Sequence, residues 1–594
     1  MSGFVAVCST AREHPVNDNE IEELVTSYVA LRGDGARHEA RAGDTARLVK
    51  IDNPHARHPG IERRGDSWSA VTGTAHGPSS LVGARPEELD GQFSLFAYDA
   101  TEKRISIASD PFGFHALYAA RGPNRLLVSN SALALARYLN AEPDRLGILS
   151  FLRSGYHFGK RTNWEGIERL DPAEHWVVDG GKVEKRRYWL PEVDRSVRDL
   201  SFDRAVDHCI EASTAAIASH LRAAPPAWSD LTGGYDSRAM NLLLERSGVT
   251  FATTTRDTPM LEDIEIAQEL SRLGGWEWLH TKLPEDWHDQ VVDEIDVALG
   301  WADANLEVLQ LARVLWPHRV LAETKPLLIS SGGGEHLQYY AWKSEFLRAG
   351  RSNRLHMDNF IDMGMLRPTN TSLFASDPTR EVREDFRRRL SAYAAPYSDQ
   401  PNTVQADMLY AYKGMGHFGA YAASDSAYLT AEVPFYFKDV FSAAFSTNFR
   451  YRNNHRLFRH FMHRLNPKLA SVRTSRGGPA IPQRATNLHL FWPYYAQVGR
   501  KAINKISHKA TGKTFLAAPP PTWLWEDRAN NSVLDHLGRD VPFKAATLRS
   551  APLYDHAALD AFLVRARQSD FTQTPMLGRI ITIEMALRAV DQAL

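Results

Sequence analysis

The stretch Leu231-Thr232-Gly233-Gly234-Tyr235-Asp236-Ser237-Arg238, running into Ala239-Met240-Asn241-Leu242-Leu243-Leu244, decides how this chain folds and what it binds. It reads as a strand from Trp228 to Leu231, a glycine turn, and a helix from Ala239 to Arg246. Gly233 and Gly234 let backbone N–H groups approach an anion closely. Thr232 and Ser237 add hydroxyl donors, and a helix N-terminus favours negative charge. A carboxylate, Asp236, has no place against a bare phosphate. It fits if Mg²⁺ lies between it and a pyrophosphate. The Gly-Lys-Ser/Thr of a Walker loop is absent. Leu231, Thr232, Gly233, Gly234, Asp236 and Ser237 are therefore candidate ligand-binding residues, with Asp236 also a metal ligand. On this loop alone, an ordinary strand–turn–helix of small residues stays open.

About 100 residues on, a strand over Pro326-Leu-Leu-Ile-Ser330 ends in Ser331-Gly332-Gly333-Gly334-Glu335-His336-Leu337, a second glycine turn with a carboxylate just past it. Two such turns at one sheet edge place Asp236 and Glu335 on either side of a Mg-pyrophosphate, with Ser331, Gly332 and Gly333 facing the ligand. Between the loops, Val249 to Thr254 reads as a strand and Glu262 to Leu273 as a helix. Strands spaced by helices argue for a parallel α/β sheet. Before residue 190 the texture differs. Gln92 to Tyr98, Arg104 to Ser109 and Leu126 to Ser129 are short strands among Gly, Asp, Asn and Pro, as in an antiparallel β-rich domain. The expected organisation is a β-rich domain over 1–190, a polar linker near 191–200, and an α/β domain over 200–594 with a mostly helical C-terminal part. Ala517-Ala-Pro-Pro-Pro521 breaks that part, and an amphipathic helix from about Leu577 to Ala593 ends it.

The 594 residues are enough for two to four domains. With 70 Lys plus Arg against 71 Asp plus Glu, overall charge points to no class of partner. Two cysteines, Cys8 and Cys209, rule out a disulfide framework. No apolar run is long enough for a membrane span, and a cytoplasmic location is expected. Val440 to Trp525 contains no Asp or Glu but 14 Lys or Arg. Such a run suggests an anion nearby, or a basic surface balanced by acids from elsewhere in the fold. Its bases are scattered among apolar positions, so nucleic acid is not an expected partner.

Through both loops and further motifs, the chain resembles the asparagine synthetase superfamily over most of its length. The first loop resembles the SGGxDS pyrophosphate loop of ATP pyrophosphatases, with Thr232 for the first Ser. The second resembles SGEGxDE, with Glu335 where the family has Asp. Glu262-Asp263-Ile264-Glu265-Ile266-Ala267 resembles the family's acidic helix start. Val433-Pro434-Phe435 resembles RVPFLD, with Glu432 in place of Arg. Leu89-Asp90-Gly91-Gln92-Phe93, Ser109-Asp110-Pro111-Phe112-Gly113-Phe114-His115-Ala116-Leu117-Tyr118 and Tyr188-Trp189 resemble the class II glutamine amidotransferase domain, an Ntn-type sandwich. The resemblance implies Mg-ATP as cofactor, adenylation of a carboxylate, and amine attack on the acyl-AMP.

The departures are as informative. An active class II glutaminase uses Cys as residue 2, and here residue 2 is Ser2; Cys8 lies six positions on. The NGEIYN strand is missing, with only Ser69-Ala-Val-Thr-Gly-Thr74 nearby. The expected amine is then free ammonia or the substrate's own, as in β-lactam synthetases and lasso peptide cyclases. Gly332 stands where asparagine synthetases have Glu and β-lactam synthetases have Tyr, and Gly333-Gly334-Glu335-His336 resembles the GGDH of lasso cyclases. In the family's RxK motif, Arg473 matches the Arg, Ser475 stands at the Lys, and Arg476 adjoins it. Arg473, Ser475 and Arg476 are thus the catalytic candidates, with Arg476 or Arg473 supplying positive charge. The expected reaction is macrolactam formation on a precursor peptide, with any leader-binding protein and leader peptidase as separate chains. Two readings stay open: a ligase joining ammonia or a small amine to a small carboxylate, and a non-catalytic scaffold.

Overall fold

The computed structural model describes residues 2–11, 13–257, 261–338, 340–345, 348–367, 370–511 and 527–594. The first 190 residues form two antiparallel sheets. Their strands are β1 (Gly3–Ser9), β2 (Ala36–Ala42), β3 (Ala46–Asp52), β4 (Glu62–Arg64), β5 (Ser67–His76), β6 (Asp90–Asp99), β7 (Arg104–Ser109), β8 (Tyr118–Gly122), β9 (Arg125–Ser129), β10 (Ile167–Arg169), β11 (Glu174–Asp179) and β12 (Lys182–Arg187). One sheet runs β10-β8-β9-β1-β3-β2 and the other β12-β11-β7-β6-β5-β4. The unbroken apolar run Phe4–Cys8 follows from burial of both faces of β1. Phe4, Ala6 and Cys8 face the second sheet, where Trp68 stacks on Phe96 at 5.8 Å. Val5 and Val7 alternate onto the opposite face, toward the helix Asp18–Arg32.

The later sheet is parallel throughout. It holds β13 (Ala227–Asp230), β14 (Phe251–Arg256), β15 (Trp278–Thr281), β16 (Leu327–Ile329) and β17 (Thr430–Glu432), in the order β15-β14-β13-β16-β17. β13, β14 and β16 match the three strands expected from sequence; β15 and β17 were not foreseen. The central position of β13 sends the chain after Asp230 out at the carboxyl edge, between the ends of β14 and β16. This is where open parallel sheets bind ligands.

Three further expectations need revision. The helix after β13 spans Tyr235–Ser247, four residues earlier than expected at its start. Tyr235 is buried and its hydroxyl accepts a hydrogen bond from Arg459 Nε at 3.2 Å, which seats the first turn. Asp236 and Ser237 are therefore helical residues rather than loop residues. The last helix is Thr574–Val590. It is buried on every side from Met576 to Leu587, so it is a core helix rather than an amphipathic one. The stretch 191–200 is no free linker. Pro191 O accepts from Tyr397 Oη at 2.9 Å, Asp194 N donates to Ser446 Oγ at 3.0 Å, and Val197 is buried. The expected break at 517–521 lies outside the described residues.

One hydrophobic core runs from Val5 through Leu311 to Val590 and joins the two halves of the chain. Polar ties cross the same boundary. Arg32 bridges to Asp303 at 2.6 Å, and Asp303 also accepts from Ser131 Oγ at 2.6 Å. The motif residues Asp90 and Gln92 accept from the backbone of Lys438 and Val433, at 3.0 Å each.

Three bases of the acid-free stretch 440–525 find counter-charges elsewhere in the chain. Arg464 pairs with Asp203 and Asp207, Arg473 with Glu262 and Glu265, and Arg452 with Asp407 at 2.5 Å. Three of its 14 bases are thus paired in space with acids from elsewhere in the chain. The Arg452–Asp407 pair is almost fully buried, and Arg452 Nη1 also donates to His336 O at 2.8 Å, fixing the second loop. Removing one partner leaves a buried charge alone, so Arg452→Ala is expected to cost about 3–5 kcal/mol. A urea midpoint lowered by less than 1 kcal/mol equivalent at unchanged slope would contradict this assignment.

Candidate active site

Strand geometry delivers both glycine turns to the same edge. Leu231 N donates to Thr254 O at 2.8 Å, and Thr255 Oγ1 donates to Leu231 O at 2.8 Å, so the first loop leaves the sheet at a fixed angle. Thr232 and Ser237 satisfy each other: Thr232 N donates to Ser237 Oγ at 3.0 Å, and their hydroxyls lie 3.0 Å apart. Gly234 N donates to Thr232 Oγ1 at 3.2 Å. Gly233 N donates to the Asp263 carboxylate at 3.0 Å, so a side-chain anion already occupies one donor of the turn.

The second loop closes onto the first. Gly334 packs so tightly that a Cβ there would stand 2.3 Å from Asp236 Oδ1. Gly333 adopts φ 101°, and a Cβ would strike the Tyr436 ring at 2.5 Å. Both glycines are thus required by contact, and Gly333 also by its left-handed backbone. Gly332 N donates to Ser330 Oγ at 3.3 Å, and Ser331 and Gly332 line the cavity described below. Glu335 Oε2 accepts from Gly333 N at 3.1 Å, and Gln338 Nε2 donates to Asp236 Oδ1 at 2.8 Å.

Asp236 and Glu335 are brought together as neighbours. Burial first, then the Glu335 charge, holds the Asp236 carboxyl above the usual carboxylate range. Glu335 is raised as well, again chiefly by burial. Arg476 opposes the shift at both carboxylates. Its guanidinium lies 5.6 Å from the Tyr235 ring centre, and Nη1 donates to Gln338 Oε1 at 3.4 Å. Two repelling carboxylates at a glycine-lined edge suit a hard divalent cation that takes one or two protein oxygens and fills its shell from phosphate and water. Among the described residues no set of three His, Cys, Asp or Glu forms a metal cluster.

The three catalytic candidates are placed differently. Buried Arg238 donates to the carbonyls of Leu469, Val472 and Arg473 and so docks the 469–476 segment on the first loop's helix. Ser475 N donates to Gly233 O at 3.0 Å, which puts Ser475 directly on the glycine turn. Arg476 acts on the carboxylate pair through its charge and bonds to Gln338, which in turn holds Asp236. Arg473 turns outward, where Glu262 and Glu265 hold it at 2.6 and 2.9 Å.

Beside the loops lies a cavity of about 540 Å³. Its floor is the carboxyl edge of the sheet, at Leu231, Thr232, Thr254, Ser330 and Gly332, and its walls come from the helices Val308–Ala322 and Asn402–Asp425. Sequence reasoning missed the wall residues. Glu307, Gln310, Val314 and His318 recur at one helical face, and Phe418, Tyr421, Ala422 and Asp425 recur at another. A carboxylate and an imidazole on otherwise apolar helices were the available signal. Gln338 and Lys413 were also missed. Lys413 donates to Gly364 O at 2.7 Å, and burial lowers its ammonium to about 7.

Cys8 is fully buried and its thiol is pushed up to about 12 by burial; Cys209 is likewise buried and raised to about 11. Neither is a reactive thiolate. Ser2 is buried, and its Oγ has no hydrogen-bond partner. Asp110 accepts from the backbone of Phe112, Phe114 and His115 at 2.8–3.1 Å and so organises a turn.

The family model of the glutamine amidotransferase domain matches residues 82–189. No curated protein matches the chain. Among solved structures, glutamine phosphoribosylpyrophosphate amidotransferase from B. subtilis, complexed with ADP and GMP, is similar at 9% identity and a TM-score of 0.22, over 42% of this chain and 65% of that one. A structure described as the allosteric regulatory enzyme of purine biosynthesis is similar at 9% identity and a TM-score of 0.23, over 47% of this chain and 80% of that one. The chain thus spans just under two thirds of the first of these. It carries a class II glutamine amidotransferase-like domain. Among the described residues, no helix is long and apolar enough to cross a membrane.

Proposed function

We propose that the protein is an ATP-dependent carbon–nitrogen ligase that adenylates a substrate carboxylate and closes an amide with an amine of the same substrate, as a lasso peptide cyclase does. The observation that carries this reading is the contact between the two glycine turns, which sets Asp236 and Glu335 side by side at the carboxyl edge of a parallel sheet. Mg²⁺, when bound by Asp236 and Glu335, would neutralise the pyrophosphate leaving group. Thr232, Ser237 and the N–H groups of Gly233 and Gly234 hold phosphate oxygens once Asp263 yields its place at Gly233 and Thr232 Oγ1 its place at Gly234. The cavity accepts the nucleoside at Leu231, Thr254, Ser331 and Gly332, with Gly333 shaping the adjoining turn. Arg476 stabilises negative charge developing on the α-phosphate and acyl oxygen. Ser475 positions the turn through its backbone.

The lack of a reactive thiol in the amidotransferase-like domain favours an amine that does not come from glutamine. A precursor peptide carrying Asp or Glu is the proposed substrate, supplied by a separate leader-binding protein and leader peptidase. Incubation with ATP and such a peptide is expected to yield AMP, pyrophosphate and a product lighter by one water. The alternative, ammonia or a small amine joined to a small acid, would give exchange with free acids and none with peptides. Ser2→Ala is expected to leave ATP–pyrophosphate exchange unchanged. A loss of tenfold or more, about 1.4 kcal/mol, would assign the first domain a chemical role.

A further inference from the structure

The cavity offers a residue for the amine half of the proposed reaction. Five carboxylates face it, from Asp230, Asp257, Asp263, Glu307 and Asp425, against the guanidiniums of Arg256 and Arg313. Four of the five are answered within the protein. Asp230 lies 4.0 Å from Arg256, Asp257 3.6 Å from His280, and Asp425 3.1 Å from His318, while Asp263 accepts from Gly233 N. Glu307 alone has no hydrogen-bond or ion-pair partner among the described residues, and its Oε2 is buried. It stands at the N-cap of the helix Val308–Ala322 without capping it. The absence of a side chain at Gly578 makes room for it: a Cβ there would lie 2.2 Å from Oε2. The charges felt at Glu307 are those of Arg579 and Arg367, which favour the ionised carboxylate but offset the effect of burial only in part. Burial prevails and raises its carboxyl to about 8. Tyr421, on the facing wall, senses both Glu307 and Arg256, so the Glu307 end and the strand-β14 end belong to one chamber.

We propose that this cavity takes the acceptor as a primary ammonium ion, and that Glu307 holds it and removes its proton. The inference rests on the ligase reading above. Glu307 accepts one proton from R–NH₃⁺, which frees the nitrogen lone pair. The nitrogen bonds to the acyl carbon as the bond from that carbon to the phosphate oxygen breaks. AMP leaves with the electron pair, and the second N–H proton passes to water. A neutral amine would need no such residue, and a carboxylate acceptor would be repelled from this wall. The substrate class is therefore one whose amine is charged in solution, such as a peptide α-amine or a lysine side chain.

The test uses the intact protein and n-butylammonium as probe, with n-butanol and butyrate as neutral and anionic controls, measured by titration calorimetry. Binding of n-butylammonium well above both controls, lost in Glu307→Gln and retained in Glu307→Asp, is the expected result. Equal binding of n-butanol and n-butylammonium by the wild type, or unchanged binding in folded Glu307→Gln, overturns the proposal. This arm needs no turnover, so it stands apart from the ligase reading, which fails separately if no acid supports ATP–pyrophosphate exchange. With a turnover substrate in hand, Glu307→Gln is expected to reduce amide formation by about 100-fold while reducing exchange only a few-fold. The amide-forming rate of the wild type should rise with pH as Glu307 ionises, and this rise should be absent in Glu307→Gln. Equal losses in both half-reactions would make Glu307 structural.

Discussion

Asp236→Asn is expected to reduce ATP–pyrophosphate exchange by about 10³-fold or more while leaving the protein folded. Such a loss corresponds to about 4 kcal/mol of transition-state stabilisation, a reasonable contribution for one metal-binding oxygen at a developing pyrophosphate. Asparagine keeps the oxygen that accepts from Gln338 Nε2 at 2.8 Å, so the loop geometry should survive. Stability should move the other way. The Asp236 carboxyl is raised in the folded state by burial and by Glu335. Its contribution to stability is therefore fully present below its unfolded value and is lost as pH rises through the folded one. At neutral pH the charged pair works against the ligand-free fold. Asp236→Asn should match or exceed the wild type in Tm there, and should lose part of the wild type's decline between mildly acidic and mildly alkaline pH. A variant that unfolds at neutral pH would show Asp236 to be structural.

Arg476→Ala is expected to lower kcat by about 10²–10³-fold, the effect of removing one preorganised charge from a developing oxyanion. Arg476→Lys should recover part of it, since lysine keeps the charge but not the planar fork. Arg473→Ala is the informative contrast. Its guanidinium is half exposed and held by Glu262 and Glu265, so its removal should cost less than about 1 kcal/mol of stability and only a few-fold in rate. If Arg473→Ala proved the more damaging of the two, the assignment of charge stabilisation to Arg476 would be wrong.

The two glycine turns were legible because their glycines are demanded locally: Gly233 by the Asp263 carboxylate against it, Gly333 by its backbone conformation, and Gly334 by the Asp236 carboxylate pressed against it. Strands β13, β14 and β16 were legible because each joins apolar or β-branched residues to a turn signal or a following helix. β15 and β17 were not. Trp278–Thr281 is a short edge strand of mixed exposure, and Thr430–Glu432 joins the sheet about 100 residues after its neighbour β16. The last helix looked amphipathic because Arg579 and Glu584 interrupt its apolar residues. In the fold both are buried, with Arg579 donating to Leu152 O and Glu584 accepting from Arg549 N and Arg588 Nε. The basic run 440–525 suggested an anion because sequence cannot show that Asp203, Glu262 and Asp407 come back to meet it. Glu307 escaped notice for a related reason. A carboxylate at a helix start reads as a cap, and only the fold turns it away from the helix N–H groups and onto the cavity.

The central claim, that these two turns form an adenylating centre, is tested most directly by ATP–pyrophosphate exchange with Mg²⁺ and a panel of carboxylates that includes peptides bearing Asp or Glu. Exchange that depends on a peptide carboxylate and disappears in Asp236→Asn is the predicted result. No exchange with any acid, in a sample of the wild type that is folded and binds Mg-ATP, would contradict it.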